Sequence, residues 1–378
     1  MNLQECRSGI DRINREMERL FCERMQLCAE VAAYKKEKGL PILDPARERE
    51  ILASVAESAP SELSAYVRSY FASMMEISRA YQSRLIAPKG SLSAELRDSV
   101  SKTPSEFPRN GRVACQGSEG AYSQIACDRL FGEQHIVYFK SFEGVFSAVE
   151  SGLCDFGVLP IENSTHGSVG AVLDLMQSHS FRIVRSLKLK VDHSLLALPG
   201  VTLGEIREIR SHPQALGQCS RFFEAHPEIK AIPAENTALA ARELASLGRR
   251  DVAVIASASC GALYGLAQVP VSIQNSDGNF TRFICIAREG AIYPGAKRIS
   301  LVLKLPNVPG SLYAVISKLA IGGCNLHKIE SRPIVGTDFE VRFYLDFEAP
   351  SYEVAASVLD DLEYSVGGVG YLGCYAEF

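Results

Sequence analysis

From Leu3 to about Lys38 apolar residues return in steps of three and four, at Ile10, Ile13, Met17, Leu20, Leu27 and Val31. That period predicts one long amphipathic helix. No glycine or proline interrupts it between Ile10 and Lys38, and Gly39 and Pro41 end it. Asp44 then caps a second helix that starts on Pro45, where a missing N–H does no harm. A third helix is predicted from about Ser61 to Ile86, so residues 1–87 read as an all-α domain.

The pattern then changes twice. Pro88, Pro104 and Pro108, set among Gly, Ser, Lys and Glu ahead of Asn110-Gly111, mark 88–110 as a linker. From Val113 short apolar runs (VACQ, IVYF, FGVLPI, FRIV, LLAL, AVIA, RFICIA) alternate with helical stretches. They predict an α/β domain over 111–290 with mostly parallel strands. The remainder, 297–375, opens with an alternating strand at 299–305, a Pro-Gly turn and the helix SLYAVISKLA. Strands near 326–331 and 341–347, a helix near 352–362 and a strand near Tyr371 complete the order βαββαβ, the α+β ferredoxin-like unit. No repeat of fixed period is evident.

Composition narrows the function classes. A chain of 378 residues is too long for one core, and 47% hydrophobic with 22% charged residues is ordinary for a globular protein. No apolar run reaches the roughly 20 residues of a membrane span, and the first residues lack a secretory signal, so a cytoplasmic protein without a membrane partner is expected. The 11 cysteines form no CxxC pair and have no histidine at zinc-ligand spacing, so free, mostly buried thiols are expected, without metal or cofactor. Residues 1–50 hold ten Lys/Arg against ten Asp/Glu, which leaves no basic face for nucleic acid.

The first helix carries charge in its seam. If Ile10, Met17 and Val31 are buried, a seven-residue step puts Arg24 among them, where a charge needs a partner. Lys35 is 35 − 24 = 11 residues further on, about 20° off the same face and roughly 16 Å along the axis, a spacing that lets two long side chains close on a small anion. Arg7 is 24 − 7 = 17 residues before Arg24, roughly 100° round the helix, and suits a neighbouring subunit better. A solvated, salt-bridged hairpin is the plainer reading of such charges. Arg7, Arg24, Lys35, Asp44, Arg47, Glu48, Ser78 and Gln82, the last two an (i, i+4) pair, fit the polar positions of the all-helical chorismate mutases, which residues 1–85 resemble. The resemblance implies that Arg24 and Arg7 of a partner chain clamp two carboxylates. Lys35 and Gln82 would donate to the ether oxygen and Glu48 would hold the ring hydroxyl, supported by Asp44, Arg47 and Ser78.

Four polar stretches follow, GSEGAYS (117–123), LPIENSTHGSV (159–169), SHPQALGQC (211–219) and NFTRF (279–283). GSEG lacks the third glycine of a dinucleotide fingerprint. In this order they resemble prephenate dehydratases over 112–288. The resemblance implies two α/β lobes like a periplasmic binding protein, one at about 111–188 plus 267–290, with substrate in the cleft. Thr281 is then the donor to the leaving hydroxyl, and Arg282 and Phe283 shape the pocket. Asn163, Ser164, Ser211 and Gln218 hydrogen-bond the substrate and Glu162 orients them. His166 and His212 are alternative acids, though a histidine before Pro213 is more often a turn residue. Gly217 stands where some relatives carry glutamine.

PGSLY (309–313) and ESRP (330–333) resemble the phenylalanine-binding version of the ACT regulatory domain, with Ser311 and Tyr313 departing from the commoner wording. The resemblance implies L-phenylalanine as effector, held by Asn307, Gly310, Ser311, Leu312, Glu330 and Ser331 between two chains of a homodimer or larger homo-oligomer. Tyrosine, or no effector, stays open. Together the three stretches resemble the bifunctional chorismate mutase/prephenate dehydratases with an ACT domain. Arogenate in place of prephenate, or a non-catalytic amino-acid sensor, remain the alternatives; a sensor would need neither the TRF stretch nor the mutase set.

Overall fold

The computed structural model describes residues 2–334, 337, 340–366 and 368–378. Helix α1 (Leu3–Lys38) starts in a capping box formed by Asn2 and Glu5 and ends on Gly39 in the left-handed conformation. Asp44 caps α2 (Pro45–Ser58) by accepting from Arg47 N at 3.1 Å. Both helices pack on α3 (Ser64–Ile86). The apolar stripe expected to be a buried seam is open: Ile10, Met17 and Val31 are 55, 41 and 46% exposed, and Ala32 alone is buried on α1. Length accounts for Ile10 and Met17, since a 36-residue helix reaches about 54 Å and a 23-residue α3 cannot cover it, whereas Val31 falls off the packed face, which runs through Arg24, Met25, Cys28 and Ala32.

After α4 (Ser91–Lys102) come β1 (Arg112–Gln116), α5 (Tyr122–Leu130), β2 (His135–Phe139), α6 (Phe142–Glu150), β3 (Phe156–Asn163), β4 (Gly167–Ser168), α7 (Gly170–Leu175) and β5 (Arg182–Lys190). The chain crosses into β6 (His193–Ala197), β7 (Glu208–Ser211), α8 (Pro213–Gly217), α9 (Ser220–Ala225), β8 (Lys230–Pro233), α10 (Thr237–Leu247), β9 (Val252–Ser257), α11 (Ala258–Tyr264) and β10 (Ala267–Gln268), then returns along β11 (Phe280–Ala287). Two sheets result, ordered β2-β1-β3-β11-β5, with β4 on β3, and β10-β6-β9-β7-β8. They are mixed rather than mostly parallel. β5 leaves the first lobe and β11 re-enters it, so these neighbours run antiparallel, as do β11 and β3. The first lobe regains the chain at Phe280, not near 267, because β10 pairs with β6.

The last elements are β12 (Arg298–Lys304), α12 (Ser311–Ile321), β13 (Asn325–Pro333), β14 (Val341–Glu348), α13 (Tyr352–Ser365) and β15 (Val369–Tyr375), in a sheet ordered β13-β14-β12-β15. Two compact units emerge: Met1–Ser101 with Lys297–Tyr371, and Lys102–Ala296 with Leu372–Phe378. In the first, α12 and α13 pack on α3, and the buried Lys318 ammonium on α12 reaches both Asp361 oxygens on α13 at 2.8 Å. Ser83 of α3 hydrogen-bonds the same carboxylate.

Two boundaries differ from the sequence reading. Residues 88–110 are not a free linker: α4 buries Ser93, Leu96 and Ser99, and Gly90 N and Leu92 N donate to Asp360 and Glu363 at 2.7 and 3.0 Å. Phe107 packs against Phe131, Phe156 and Tyr293. Residues 372–378 belong with the two-lobed unit rather than with the βαββαβ segment that precedes them. All 11 cysteines are free, and seven of them are buried. Among the described residues no helix is long and apolar enough to cross a membrane.

Candidate active sites

The helical cluster gathers on α3. Its buried face carries Ser78 and Gln82 one turn apart. Arg24, half-buried on α1, donates to Ser78 Oγ, which itself donates to Met74 O at 2.7 Å. Gln82 Oε1 is buried and has no hydrogen-bond partner among the described residues. Such an acceptor costs about 1–3 kcal/mol unless a donor fills the space beside it. Lys35 Nζ donates to Ile42 O in the loop before α2. Glu48 on α2 accepts from Arg79, whose other terminal nitrogen binds Glu76. The sequence reading missed Arg79 and Glu76; an acid and a base at (i, i+3) spacing on one helix was the available signal. Asp44 serves as the α2 cap, and Arg47 is 68% exposed in an ion pair with Glu50 at 2.9 Å. Arg7 stands exposed on α1, 17 residues and about 25 Å from Arg24.

The second cluster forms where β3 and β11 end side by side, with Thr281 paired to Asn163. Asn163 is 7% exposed. Its Oδ1 accepts from Thr165 N and His166 N, both at 3.1 Å, and two backbone donors settle which end of the amide is oxygen. Nδ2 therefore faces three acceptors, Asn279 Oδ1 at 2.8 Å, Phe280 O at 3.1 Å and Thr281 Oγ1 at 3.0 Å. Thr281 Oγ1 accepts a hydrogen bond in this network, and its own proton finds no acceptor among the described residues. It is available for donation to a ligand.

Gln218, from the second lobe, closes the cluster. Its Nε2 donates to Thr165 Oγ1 at 3.2 Å, and its Oε1 accepts from Asn279 Nδ2 at 3.0 Å and lies 2.8 Å from His193 Nε2. His193 Nδ1 is 3.3 Å from the Tyr122 hydroxyl. A cavity of about 490 Å³ lies against Tyr122 and His193. Ser164 spends its side chain on loop closure, donating to Gly278 O and accepting from Phe280 N, each at 2.9 Å. Asn279, Thr165, His193 and Tyr122 were not singled out from sequence. Asn279, Thr165 and Tyr122 lay inside stretches already quoted, whereas His193 had no local signal.

Other expected ligands fall elsewhere. Ser211 is fully buried and donates to Ile255 O at 2.6 Å, so it closes the second sheet. His212 caps α8, its Nδ1 accepting from Gln214 N at 3.2 Å, and burial pulls its pKa down. Side chains alternate along a strand, so Phe283 shares the face of Thr281 but lies one pleat deeper, in the core with Leu187 and Leu189. Arg282 takes the opposite face, buried, with its Nε 3.5 Å from Glu162. In the βαββαβ segment Gly310 caps α12, which begins at Ser311 and Leu312, and Asn307 is exposed ahead of it. Glu330 and Ser331 lie on the edge strand β13, Glu330 with Lys328 at 3.5 Å.

Burial holds the His193 pKa below its ordinary value, against the opposing hydrogen bond to Gln218. The unfolded chain takes up a proton near pH 6.5 that the folded one refuses. Stability from this group is therefore complete above that pH and is lost as the pH falls towards the lower folded value. Replacing His193 with asparagine is expected to shrink the fall in melting temperature between about pH 7.5 and 5.5. An equal fall in both proteins would assign the acid sensitivity to other groups.

Comparison with known proteins places both clusters inside family models. The model described as "Chorismate mutase type II" matches residues 6–83, and that described as "Prephenate dehydratase" matches residues 113–291. The chain is 30% identical over 380 residues to "Bifunctional chorismate mutase/prephenate dehydratase" of Escherichia coli (strain K12), covering 98% of this chain and 95% of the relative. It is 36% identical over 341 residues to "Arogenate dehydratase/prephenate dehydratase 2, chloroplastic" of Arabidopsis thaliana, covering 86% of each. Among solved structures, a prephenate dehydratase from Arthrobacter aurescens in complex with L-Phe superposes with a TM-score of 0.64 at 28% identity, over 70% of this chain and 89% of that one.

Proposed function

Since the chain belongs to the bifunctional chorismate mutase/prephenate dehydratase family, we propose that the α3 cluster rearranges chorismate and the Asn163–Thr281 cluster dehydrates the product. The enzyme makes prephenate from chorismate and phenylpyruvate from prephenate, two steps of phenylalanine biosynthesis.

The rearrangement is intramolecular, so it needs a held conformer and donors at the breaking ether bond rather than a nucleophile or proton shuttle. Arg24 binds one carboxylate and Arg7 of a second copy binds the other. Lys35 and Gln82 donate to the ether oxygen, Glu48 takes the ring hydroxyl, and Asp44, Arg47 and Ser78 hold these groups in place. The open apolar stripe on α1 supports a homodimer, because it offers a second copy the surface that a single chain leaves in water.

Dehydration expels carbon dioxide and hydroxide and leaves an aromatic ring. What it asks of the protein is carboxylate binding and a proton for the departing hydroxide. The observation that carries this assignment is the hydrogen bond from Asn163 Nδ2 to Thr281 Oγ1, which polarises the hydroxyl while leaving its proton free. Asn163, Ser164 and Gln218 line the substrate side; Ser211, Glu162, Arg282 and Phe283 support it from behind.

Residues 297–371 read as an ACT regulatory domain in a cytoplasmic enzyme. L-Phenylalanine binds near Gly310, Ser311, Leu312, Glu330 and Ser331, with Asn307 beside them. The L-Phe in the Arthrobacter aurescens structure supports this. Inhibition then requires different affinities for two states of the enzyme. Purified protein given chorismate is expected to release phenylpyruvate at a rate that L-phenylalanine lowers, and Glu330→Ala is expected to keep the rate and lose the inhibition. Dehydration of arogenate in preference to prephenate would overturn the substrate, and inhibition undiminished in Glu330→Ala would move the effector site.

A further inference from the structure

Strand β15 begins in one sheet and its chain finishes on another. Residues 372–378 run parallel along β5, the edge strand of the first lobe, bridging Ser186 and Glu377. Ser186 N donates to Ala376 O at 3.0 Å, Phe378 N to Ser186 O at 3.0 Å and Lys188 N to Phe378 O at 2.7 Å. The Arg185 guanidinium is held between the Phe107 and Phe378 rings, 3.9 and 4.0 Å from their centroids. Gly373 makes the approach possible. Its φ is +147°, and a Cβ there would lie 2.2 Å from Ile183 O.

This added strand brings a carboxylate to β11. Glu377 Oε2 accepts from Ser186 Oγ at 3.4 Å and lies 4.0 Å from Arg282 Nη1. Arg282, its side chain 9% exposed, is thereby placed between Glu377 and Glu162, with Lys188 opposite it on β5. The location matters because the β3–β11 register shifts between Arg282 and Phe283. A bulge re-aims the side chains beside it, so on the β3 side an anchored Arg282 adds to the unbroken pairing of residues 280–285 with β5 in setting how the strand end sits. Thr281 is the next residue.

We propose that Glu377 is a positioning residue of the dehydratase: by holding Arg282 on the back of β11 it fixes the end of the strand that presents Thr281. The inference rests on Thr281 being the proton donor. Removing one carboxylate weakens the compensation of a buried cation, and the strand end shifts to recover solvation.

The test uses the full chain with Glu377→Gln, Glu377→Asp, Glu162→Gln and the Glu377→Gln/Glu162→Gln double variant, with Thr281→Val alongside. Prephenate dehydration and chorismate rearrangement are both assayed. Glu377→Gln is expected to lower dehydratase kcat about tenfold with KM within about twofold and mutase kcat unchanged, and Glu377→Asp, which keeps the charge, to recover most of the loss. The double variant should lose more than the product of the single losses, because both carboxylates serve one guanidinium. A normal kcat in Glu377→Gln beside an inactive Thr281→Val overturns this inference alone. Normal dehydration by Thr281→Val instead removes the reading beneath it. Equal loss of both activities in Glu377→Gln and Glu377→Asp would make the residue structural and also overturn the proposal.

Discussion

Lys35→Ala is expected to lower mutase turnover by about 100-fold or more while prephenate added directly is still dehydrated at nearly the normal rate. Among the described residues the Lys35 ammonium has one hydrogen bond, to Ile42 O, and that acceptor sits in a loop that water can also serve. The substitution therefore removes little from the fold. What it removes is a cationic donor for charge that develops as the ether bond breaks, and loss of a single donor of this kind typically costs 10²–10³ in rate. Gln82, buried one turn beyond Ser78, is the other donor proposed for the ether oxygen and carries no charge. Steady-state assays of both reactions on one preparation decide the matter. A parallel fall in the two would mean a damaged fold, and an unchanged mutase would take Lys35 out of the site.

Thr281→Val should reduce dehydratase turnover by about 100-fold or more, with the mutase untouched and Thr281→Ser retaining much of the activity. Valine keeps the volume and the β-branch, so the pairing with Asn163 and Leu189 survives. The proton is lost. An aliphatic hydroxyl is a weak acid in water, yet departing hydroxide is a strong base, and partial transfer as the bond breaks is sufficient. Asn163 Nδ2 loses one of its three acceptors but keeps Asn279 Oδ1 and Phe280 O, so no buried donor is stranded. Dehydration at close to the normal rate would move the acid elsewhere. His166 is then the next residue to test, ahead of His212, whose Nδ1 is committed to the α8 cap.

What the sequence disclosed follows from how local each signal is. The long α1 and the Asp44-Pro45 start of α2 were legible because helix period and capping are written within a few residues. α4 was not, since two of its three buried positions are serines, whose small side chains suit a close contact but break the apolar pattern. Thr281 and Asn163 were legible as motif residues, and their alignment came from strand pairing 118 positions apart. His193 was invisible because its role consists of contacts with Tyr122 and Gln218, 71 and 25 positions away. Arg282 and Phe283 were placed together by adjacency, whereas a strand sends neighbours to opposite faces. The final residues read as a continuation of the βαββαβ sheet because nothing in a strand's own sequence names its partner.

The strand at 372–378 also constrains the order in which the protein can be made. Ser186 waits for Glu377 across 191 positions, and the βαββαβ elements must be synthesised before that strand exists. Until then β5 is a bare edge with unpaired backbone groups, open to pairing with other chains. Synthesis runs from the N-terminus, so a nascent chain carries this exposed edge while β12 to β15 are still being added. Pairing over so long a separation also has to overcome a large closure entropy, which slows the final step. The dehydratase is thus expected to gain its finished sheet last, after the βαββαβ segment that precedes those residues.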